Sequence, residues 1–169
     1  MRLHVLAGMA IVIFGDTHVP SRATGLSEWV EDAVEDADHV VHTGDFDSPG
    51  AYDRVVAAAD ELAAVAGNMD PNDLDLPTVE TFEREGVRFA VTHGTGSIES
   101  YRERVLDVGR EHDADVVVAG HTHEVVDETV DGMRFLNPGS ATGAAPATRE
   151  TLYEVSVADG DVDVTLRSE

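Results

Sequence analysis

The stretch Val116-Val117-Val118-Ala119-Gly120-His121-Thr122-His123 is the part of the sequence that decides the fold. Its apolar run predicts a buried strand, and two histidines follow directly after it. Side chains two residues apart on an extended segment point the same way, so His121 and His123 are expected to present two imidazoles to one side. Imidazole is a good ligand for zinc, manganese, iron and nickel. Because His-x-His also occurs on solvated strands, the motif alone leaves both interpretations open.

The charge balance argues against one class of partner. The 169 residues include 34 Asp and Glu against 11 basic residues, all of them Arg, for a net charge of -23. Such a surface repels polyanions, so we expect no binding to nucleic-acid backbones. Disorder is the other interpretation of an acidic chain, but a hydrophobic content of 42% disfavours it. We expect a folded protein from a salt-loaded cytoplasm that needs high salt to fold.

The start of the chain and its lack of cysteine limit where the protein works. Without Cys there are no disulfides, thiolate ligands or Cys nucleophile. The apolar opening is too short to span a bilayer, and cleavage of a signal peptide after Ala10 would cut into the first predicted strand. We expect a cytoplasmic protein with no membrane association. We expect one domain over residues 1–169, with Met9 as the natural start and 1–8 as a dispensable extension.

Predicted strands and helices alternate until about residue 120, and only strands follow. Ser27 and Ser48-Pro49 are typical helix starts, and a third helix is predicted from Ser97, with Ile98 on its apolar stripe. Asp131-Gly132 predicts a hairpin turn, as does the segment 158–161. The predicted strands cover residues 10–14, 39–42, 63–66, 79–82, 87–92, 115–119, 125–130, 133–136, 151–157 and 162–166.

Five of these strands end in ligand-type residues beside glycine. In layered α/β sheets, ligands lie beyond the carboxyl ends of strands that are about 4.8 Å apart, so these side chains should converge. Each alone has an ordinary alternative as a turn or surface residue, and His39 and His42 are given no role. A tetrahedral ion needs four ligands, so seven suggest two ions roughly 3.5–4 Å apart. The seven are Asp16, His18, Asp45, Asn68, His93, His121 and His123.

The same residues carry a family resemblance. In order and approximate spacing they resemble the calcineurin-like metallophosphoesterases, and the resemblance covers residues 10 to about 157. Gly67-Asn68-Met69-Asp70 and Asn137-Pro138-Gly139-Ser140 are similar to the small single-domain phosphodiesterase branch. The resemblance implies an α/β (α+β) fold, a four-layer αββα sandwich in which two mixed sheets are flanked by helices.

The resemblance also implies how the ligands divide between two divalent ions. Manganese is the expected metal, with nickel, iron or zinc as alternatives. A water shared by two cations loses a proton near neutral pH and can attack phosphorus in line. The implied ligands are Asp16, His18 and His123 for the first ion, Asn68, His93 and His121 for the second, and Asp45 as the bridge.

Two departures from the family pattern affect the expected chemistry. Many members have a His where this chain has Met69, so the leaving-group proton must come from Asp70 or from water, or the step is lacking. Thr95 stands where the small branch often has His; it can hydrogen-bond a phosphate but cannot act as acid or base. Arg22 is a candidate phosphate contact, with a surface arginine as its alternative. The implied catalytic residues are Asp45, Asn68, Asp70 and His93.

The expected function is a phosphodiesterase acting on small phosphate esters. One alternative is a phosphomonoesterase or nucleotidase that uses the same site. The other is a non-catalytic protein-binding scaffold, similar to the retromer subunit of this superfamily, and that alternative predicts eroded ligands. All seven ligand-type residues are present here, which favours the enzyme. The resemblance is also compatible with homodimers.

Overall fold

The computed structural model describes residues 8–169. All ten predicted strands are present, with small shifts at their ends. In chain order the elements are β1 Met9–Phe14, α1 Glu28–Asp36, β2 His39–His42, α2 Pro49–Ala58, β3 Leu62–Ala64, β4 Val79–Arg84, β5 Val87–Thr92, α3 Tyr101–Glu111, β6 Val116–Val118, β7 Val125–Val130, β8 Met133–Pro138, β9 Thr151–Ala158 and β10 Asp161–Ser168.

The strands form two five-stranded mixed sheets. The first has the order β10-β9-β1-β2-β3, in which β1, β2 and β3 are parallel and β9 and β10 are antiparallel additions. The second has the order β4-β5-β6-β8-β7, in which β5, β6 and β8 are parallel. In the second sheet the parallel strands are the three central ones, whereas in the first sheet they include the edge strand β3. The central parallel strands are covered on both faces.

Alternation along the central strands explains why their sequences are apolar throughout. Ile11 and Ile13 of β1 pack between the two sheets, whereas Val12 and Phe14 pack under α1 and α2. In the second sheet, the outward face of β6 packs against α3 through Val117. Three buried clusters therefore separate four layers, and the predicted αββα sandwich is confirmed.

Three two-residue turns close the antiparallel hairpins. Glu85-Gly86, Asp131-Gly132 and Asp159-Gly160 each have positive φ at both residues, between 48° and 85°. This backbone conformation matches the right-handed twist of the flanking strands, and it favours Gly at the second position. The hairpins predicted at 131–132 and 158–161 are confirmed.

The third helix begins later than predicted. It starts at Tyr101, after Ser100, and the predicted start at Ser97 is wrong. Gly96 has φ +132°, outside the helical region, and Ile98 is 64% exposed, so it does not join the buried stripe. The 3.6-residue spacing of Ile98 was therefore coincidental, and residues 94–100 form a loop.

The termini bear on the domain prediction. Residues 1–7 of the expected extension lie outside the described residues, so its dispensability stays a prediction. Met9 opens β1 and pairs with Val157 of β9. We propose that the chain is one domain, because both sheets share the central cluster of buried side chains. Among the described residues, no helix is long and apolar enough to cross a membrane.

Candidate metal centre

The seven ligand-type residues follow five parallel strands and meet at one edge of the sandwich. The first sheet supplies four of them and the second sheet supplies three, because the carboxyl ends of both sets of parallel strands point to this edge. Asp16 and His18 follow β1, Asp45 follows β2, Asn68 follows β3, His93 follows β5, and His121 and His123 follow β6.

The inner half of the centre is buried. His18 Nε2 lies 3.2 Å from His123 Nε2, and Asp16 Oδ1 lies 3.7 Å from the same His123 atom. All three residues are buried, and their ligand atoms lie close enough together to hold one ion. This set matches the ligands that the resemblance implies for the first ion, with Asp45 nearby.

The outer half is more open to solvent. Asn68 Oδ1 lies 3.0 Å from His93 Nε2 and 3.2 Å from His121 Nδ1. His93 is buried, but His121 is half-buried and Asn68 is exposed. The two halves therefore differ in accessibility, and the side of Asn68 and His121 is the one open to solvent.

Each imidazole is oriented by an acceptor outside the centre. When one ring nitrogen donates to a fixed acceptor, the other carries the free lone pair, which is the usual arrangement behind a metal-ligating histidine. On this basis three histidines present Nε2 to the centre and one presents Nδ1. The donated bonds run from His18 Nδ1 to Asp47 (3.0 Å), His93 Nδ1 to Thr43 O (2.7 Å), His123 Nδ1 to Ala144 O (2.9 Å) and His121 Nε2 to Gly96 O (3.1 Å).

The resulting arrangement fits a cation. The lone pairs of His18 and His123 face each other, and Asn68 Oδ1 faces two further lone pairs, so acceptors meet acceptors. Within residues 8–169, buried Asp16 Oδ1 has no hydrogen-bond partner. A positive ion would satisfy all of these atoms, whereas a neutral cavity would leave them repelling each other. Nitrogen, carboxylate and amide-oxygen donors suit manganese, zinc, iron and nickel.

The protonation tendencies agree with this. Burial raises the pKa of Asp16 to about 7, because the carboxylate has lost water and the nearby imidazole of His93 offsets only part of that loss. Burial also lowers the pKa values of His121 and His123, which favours the neutral imidazole that binds metals. Burial opposes the charged forms of both Asp45 and His93, but their contact overrides it: without an ion, a proton on His93 Nε2 can bridge to Asp45, so the pKa of Asp45 is lowered and that of His93 is raised. A bound cation would take the place of that proton.

Two carboxylates reach both halves. Asp45 Oδ1 accepts the Met69 N–H at 2.8 Å, which leaves Oδ2 at 3.2 Å from His93 Nε2 and 3.5 Å from His18 Nε2. This position suits the bridging role that the resemblance implies. Asp16 Oδ1 lies at 3.8 Å from His93 as well as 3.7 Å from His123, so it also faces both halves, although the resemblance assigns it to the first ion alone.

The backbone of the centre is held in an unusual conformation. Six site residues have φ between 48° and 80°, the left-handed region that side chains other than Gly rarely adopt. Such residues cluster where the surrounding structure fixes them for function. The six are Asp16, His18, Asp45, Asp47, His121 and His123.

One glycine lets two strand ends approach each other. A Cβ on Gly67 would stand 2.1 Å from Asp45 Oδ1, so no larger residue fits there without moving the carboxylate.

Asp70 holds loops together rather than facing the centre. Its carboxylate accepts the N–H groups of Asp45 (2.8 Å), Asp47 (2.9 Å) and Gly67 (2.8 Å), so both oxygens are engaged as acceptors. These bonds favour a positioning role for Asp70 over donation of the leaving-group proton, which is one of the three alternatives that Met69 leaves open.

The two expected substrate contacts are on the rim. Thr95 is exposed and lines a cavity of about 300 Å³ together with His93. Arg22 is exposed and donates to Ala145 O at 3.0 Å, which places its charge on the side of His123.

Sequence analysis missed the residues behind the ligands. Asp47 has one signal in the sequence, its position two residues beyond Asp45. His42 accepts the Gly44 N–H at 3.0 Å and approaches Thr17 Oγ1 at 3.2 Å, so it joins the loops after β1 and β2. Nothing in the sequence distinguishes this histidine from an ordinary buried one.

The loop 141–146 also supports the site. Its Ala144 carbonyl orients His123, and Thr142 Oγ1 donates to Thr17 O at 2.8 Å. Just before it, Ser140 Oγ donates to Asp16 O at 2.8 Å. Main-chain carbonyls such as that of Ala144 have no sequence signature, so this support could not be predicted.

An αββα sandwich with imidazole and carboxylate groups at the strand ends defines a metallophosphoesterase architecture. The profile of the calcineurin-like phosphoesterase superfamily domain matches residues 9–160. The chain therefore belongs to the calcineurin-like phosphoesterase superfamily, a family that binds divalent metals, and the resemblance seen in the sequence is confirmed.

Relatives carry two kinds of name. A probable metallophosphoesterase of Methanothermobacter thermautotrophicus is 35% identical over 79% of this chain and 78% of its own length. Vacuolar protein sorting-associated protein 29 of Schizosaccharomyces pombe is 29% identical over 80% of this chain and 74% of its own. The crystal structure of Entamoeba histolytica Vps29 complexed with zinc is also similar, with a TM-score of 0.72, 28% identity and coverage of 95% and 99% of the two chains.

Proposed function

We propose that the protein is a metal-dependent phosphodiesterase that acts on small phosphate esters. The observation that carries the proposal is the cluster of hydrogen-bond acceptor atoms that face one another at the strand ends with no donor between them. Each histidine is turned toward this cluster by a hydrogen bond from its other ring nitrogen. The family supports hydrolysis of phosphoesters in general. The proposed ligands are Asp16, His18 and His123 in the inner half and Asn68, His93 and His121 in the outer half, with Asp45 between them.

The chain's own residues have two tasks in this reaction. Two divalent cations, manganese being our proposal, would supply charge neutralisation at the phosphoryl oxygens and a lower pKa for attacking water. The protein orients the ligands through Asp47 and the carbonyls behind the imidazoles. The open outer half, at Asn68 and His121, admits the ester, and Thr95 and Arg22 are proposed to contact it from the rim.

The preference for diesters follows from what the rim lacks. Met69 cannot donate a proton, and the Asp70 carboxylate is occupied by three N–H groups. A leaving group must therefore depart without a proton from either residue, which favours aryl diesters over simple alkyl monoesters. A monoesterase or nucleotidase would depend more than an aryl diesterase does on a residue that donates a proton to the leaving group.

The test is hydrolysis of bis(p-nitrophenyl) phosphate in high salt, with and without Mn²⁺. Turnover should require the metal. Asp45→Ala should reduce it roughly a hundredfold or more, because loss of a ligand costs more than the 10–100-fold typical of an outer partner. Asp53→Ala, on the exposed face of α2, is the matched control and should keep full activity. Faster turnover of an alkyl monoester than of the aryl diester would refute the diester preference.

The similarity to Vps29 favours one second candidate, a protein-binding scaffold. Folded protein that shows no turnover with any divalent metal would support the scaffold and contradict the enzyme. Cytoplasmic location and homodimer formation stay predictions beside either function.

A further inference from the structure

The loop between β5 and α3 carries part of the candidate centre but is poorly supported by packing. Residues 95–100 are all exposed, and Gly94 and Gly96 have φ values of +86° and +132°. A cavity of about 300 Å³ is lined by Gly94 and Thr95 of this loop together with Arg104. Because the loop has neither regular structure nor a buried apolar face, its conformation must be set mainly by hydrogen bonds.

Arg104 of α3 supplies three of these bonds. Its Nη2 donates to Gly94 O at 2.8 Å and to Ser97 O at 3.0 Å, and its Nη1 donates to Ser100 Oγ at 2.9 Å. The guanidinium also lies against Gly96, where an added Cβ would stand 2.9 Å from Arg104 Cζ. A planar fork of donors is well suited to span several acceptors of one loop at once.

Gly96 connects this loop to the centre. Its carbonyl accepts the Nε2–H of His121 at 3.1 Å, and this bond turns His121 Nδ1 to within 3.2 Å of Asn68 Oδ1. The carbonyls that orient His93 and His123 belong to buried residues, whereas Gly96 lies on an exposed loop. The orientation of His121 therefore depends on loop 94–100, whose conformation is not fixed by packing.

We propose that Arg104 is a positioning residue for the outer half of the centre. It holds loop 94–100 so that the Gly96 carbonyl keeps His121 protonated on Nε2 and directs the bare Nδ1 toward Asn68. The role rests on the proposed metal-dependent function, since it concerns how a divalent cation is held at Asn68, His93 and His121. Arg104 touches neither the cation nor the substrate in this role.

The experiment is a calorimetric titration of Mn²⁺ into the metal-free full chain at constant high salt. Wild type should show two binding events. Arg104→Met should weaken one of them about 10–100-fold, as removal of an outer partner does, and leave the other unchanged. Arg104→Lys should also weaken it, because an ammonium cannot span three acceptors in a plane. Arg102→Met is the matched control: Arg102 lies on the same helix, pairs with Glu128 at 2.8 Å, and should leave both events unchanged.

A second measurement reports the tautomer of the His121 imidazole. Nitrogen-15 NMR of the metal-free protein should show His121 protonated on Nε2 in wild type and a mixture of tautomers in Arg104→Met. Gly96→Ala should have the same effect on the ring and on the weaker binding event, because its Cβ would push against the guanidinium. It tests the proposal independently if Arg104→Met does not fold.

Three results would overturn the proposal. One is wild-type affinity at both sites in Arg104→Met, and another is an equal loss at both sites, which would mean a general structural role. The third is the absence of two binding events in wild type. That result would be visible before any variant is made, and it would remove the proposed metal-dependent function together with this inference.

Discussion

The Asp47 carboxylate lies behind His18 rather than among the ligands. Both of its oxygens are 3.0 Å from His18 Nδ1, and its backbone N–H is held by Asp70. A carboxylate in this position fixes the tautomer of the imidazole and makes the opposite nitrogen a stronger ligand. The orientation of His18 therefore depends on a residue that never contacts the proposed ion.

We predict that Asp47→Asn lowers the affinity of the inner half for Mn²⁺ about 10-fold, because the amide keeps an acceptor but loses the negative charge. Calorimetric titration in high salt measures the change. Asp53→Asn, which removes an exposed acid on α2, should bind like wild type. An unchanged affinity in Asp47→Asn would show that its charge does not reach the centre through His18.

At this scale, the sequence predicted the residues that face the centre but not those that hold them. His93 and His121 could be found because each follows an apolar strand beside glycine. The acceptors behind them, Thr43 O and Gly96 O, are main-chain atoms that every residue carries. Only the folded backbone, with its left-handed turns, shows which carbonyls point at an imidazole.

The end of strand β2 gives the molecule a pH dependence. His42 is fully buried, and burial lowers its pKa to about 3 from an ordinary value of 6.5. Its Nδ1 accepts the Gly44 N–H, so a proton there would set two donors against each other. As the pH falls below about 6.5, the unfolded chain takes up a proton that the folded chain refuses, and stability is lost progressively down to about pH 3.

We predict that this histidine alone costs about 2 kcal/mol of unfolding free energy between pH 6.5 and pH 5. His42→Asn keeps an acceptor near the Nδ1 position but cannot titrate, so its stability should fall less steeply over that range although it starts lower. Urea unfolding of metal-free protein at fixed salt measures both slopes. Equal slopes would mean that His42 is not the group responsible.

Elements differed in how well the sequence described them. Strands such as β1 and β5 were found because residues on both faces are apolar, and the hairpins because turns with positive φ favour Gly. The start of α3 was missed because Ile98 fits the helical spacing by coincidence. The strand order β4-β5-β6-β8-β7 could not be predicted from the sequence either, because pairing between distant strands leaves no local pattern.

The net charge of the whole molecule makes its folding depend on salt. Eleven arginines offset only part of the charge of the 34 acidic groups, so a net charge of -23 remains and the folded chain repels itself. The screening length is about 10 Å at 0.1 M salt and about 3 Å at 1 M, so salt removes much of this repulsion. We predict that far-ultraviolet circular dichroism and the melting temperature both fall when KCl is diluted from about 1 M to about 0.1 M.

Sucrose in place of KCl is the control, because it favours compact states without screening charge. It should restore the fold less well than KCl does. Unchanged circular dichroism in dilute buffer would contradict the prediction and would leave the acidic surface without a role in folding.

Each half of the centre draws on both sheets. His18 of the first sheet faces His123 of the second, and Asn68 of the first faces His93 and His121 of the second. An ion held in either half would thus cross-link the two sheets at this edge of the sandwich. Loss of the metal would then weaken the contact between the two sheets as well as remove the reactive centre. The sheets would separate first at the edge where the ester is proposed to bind.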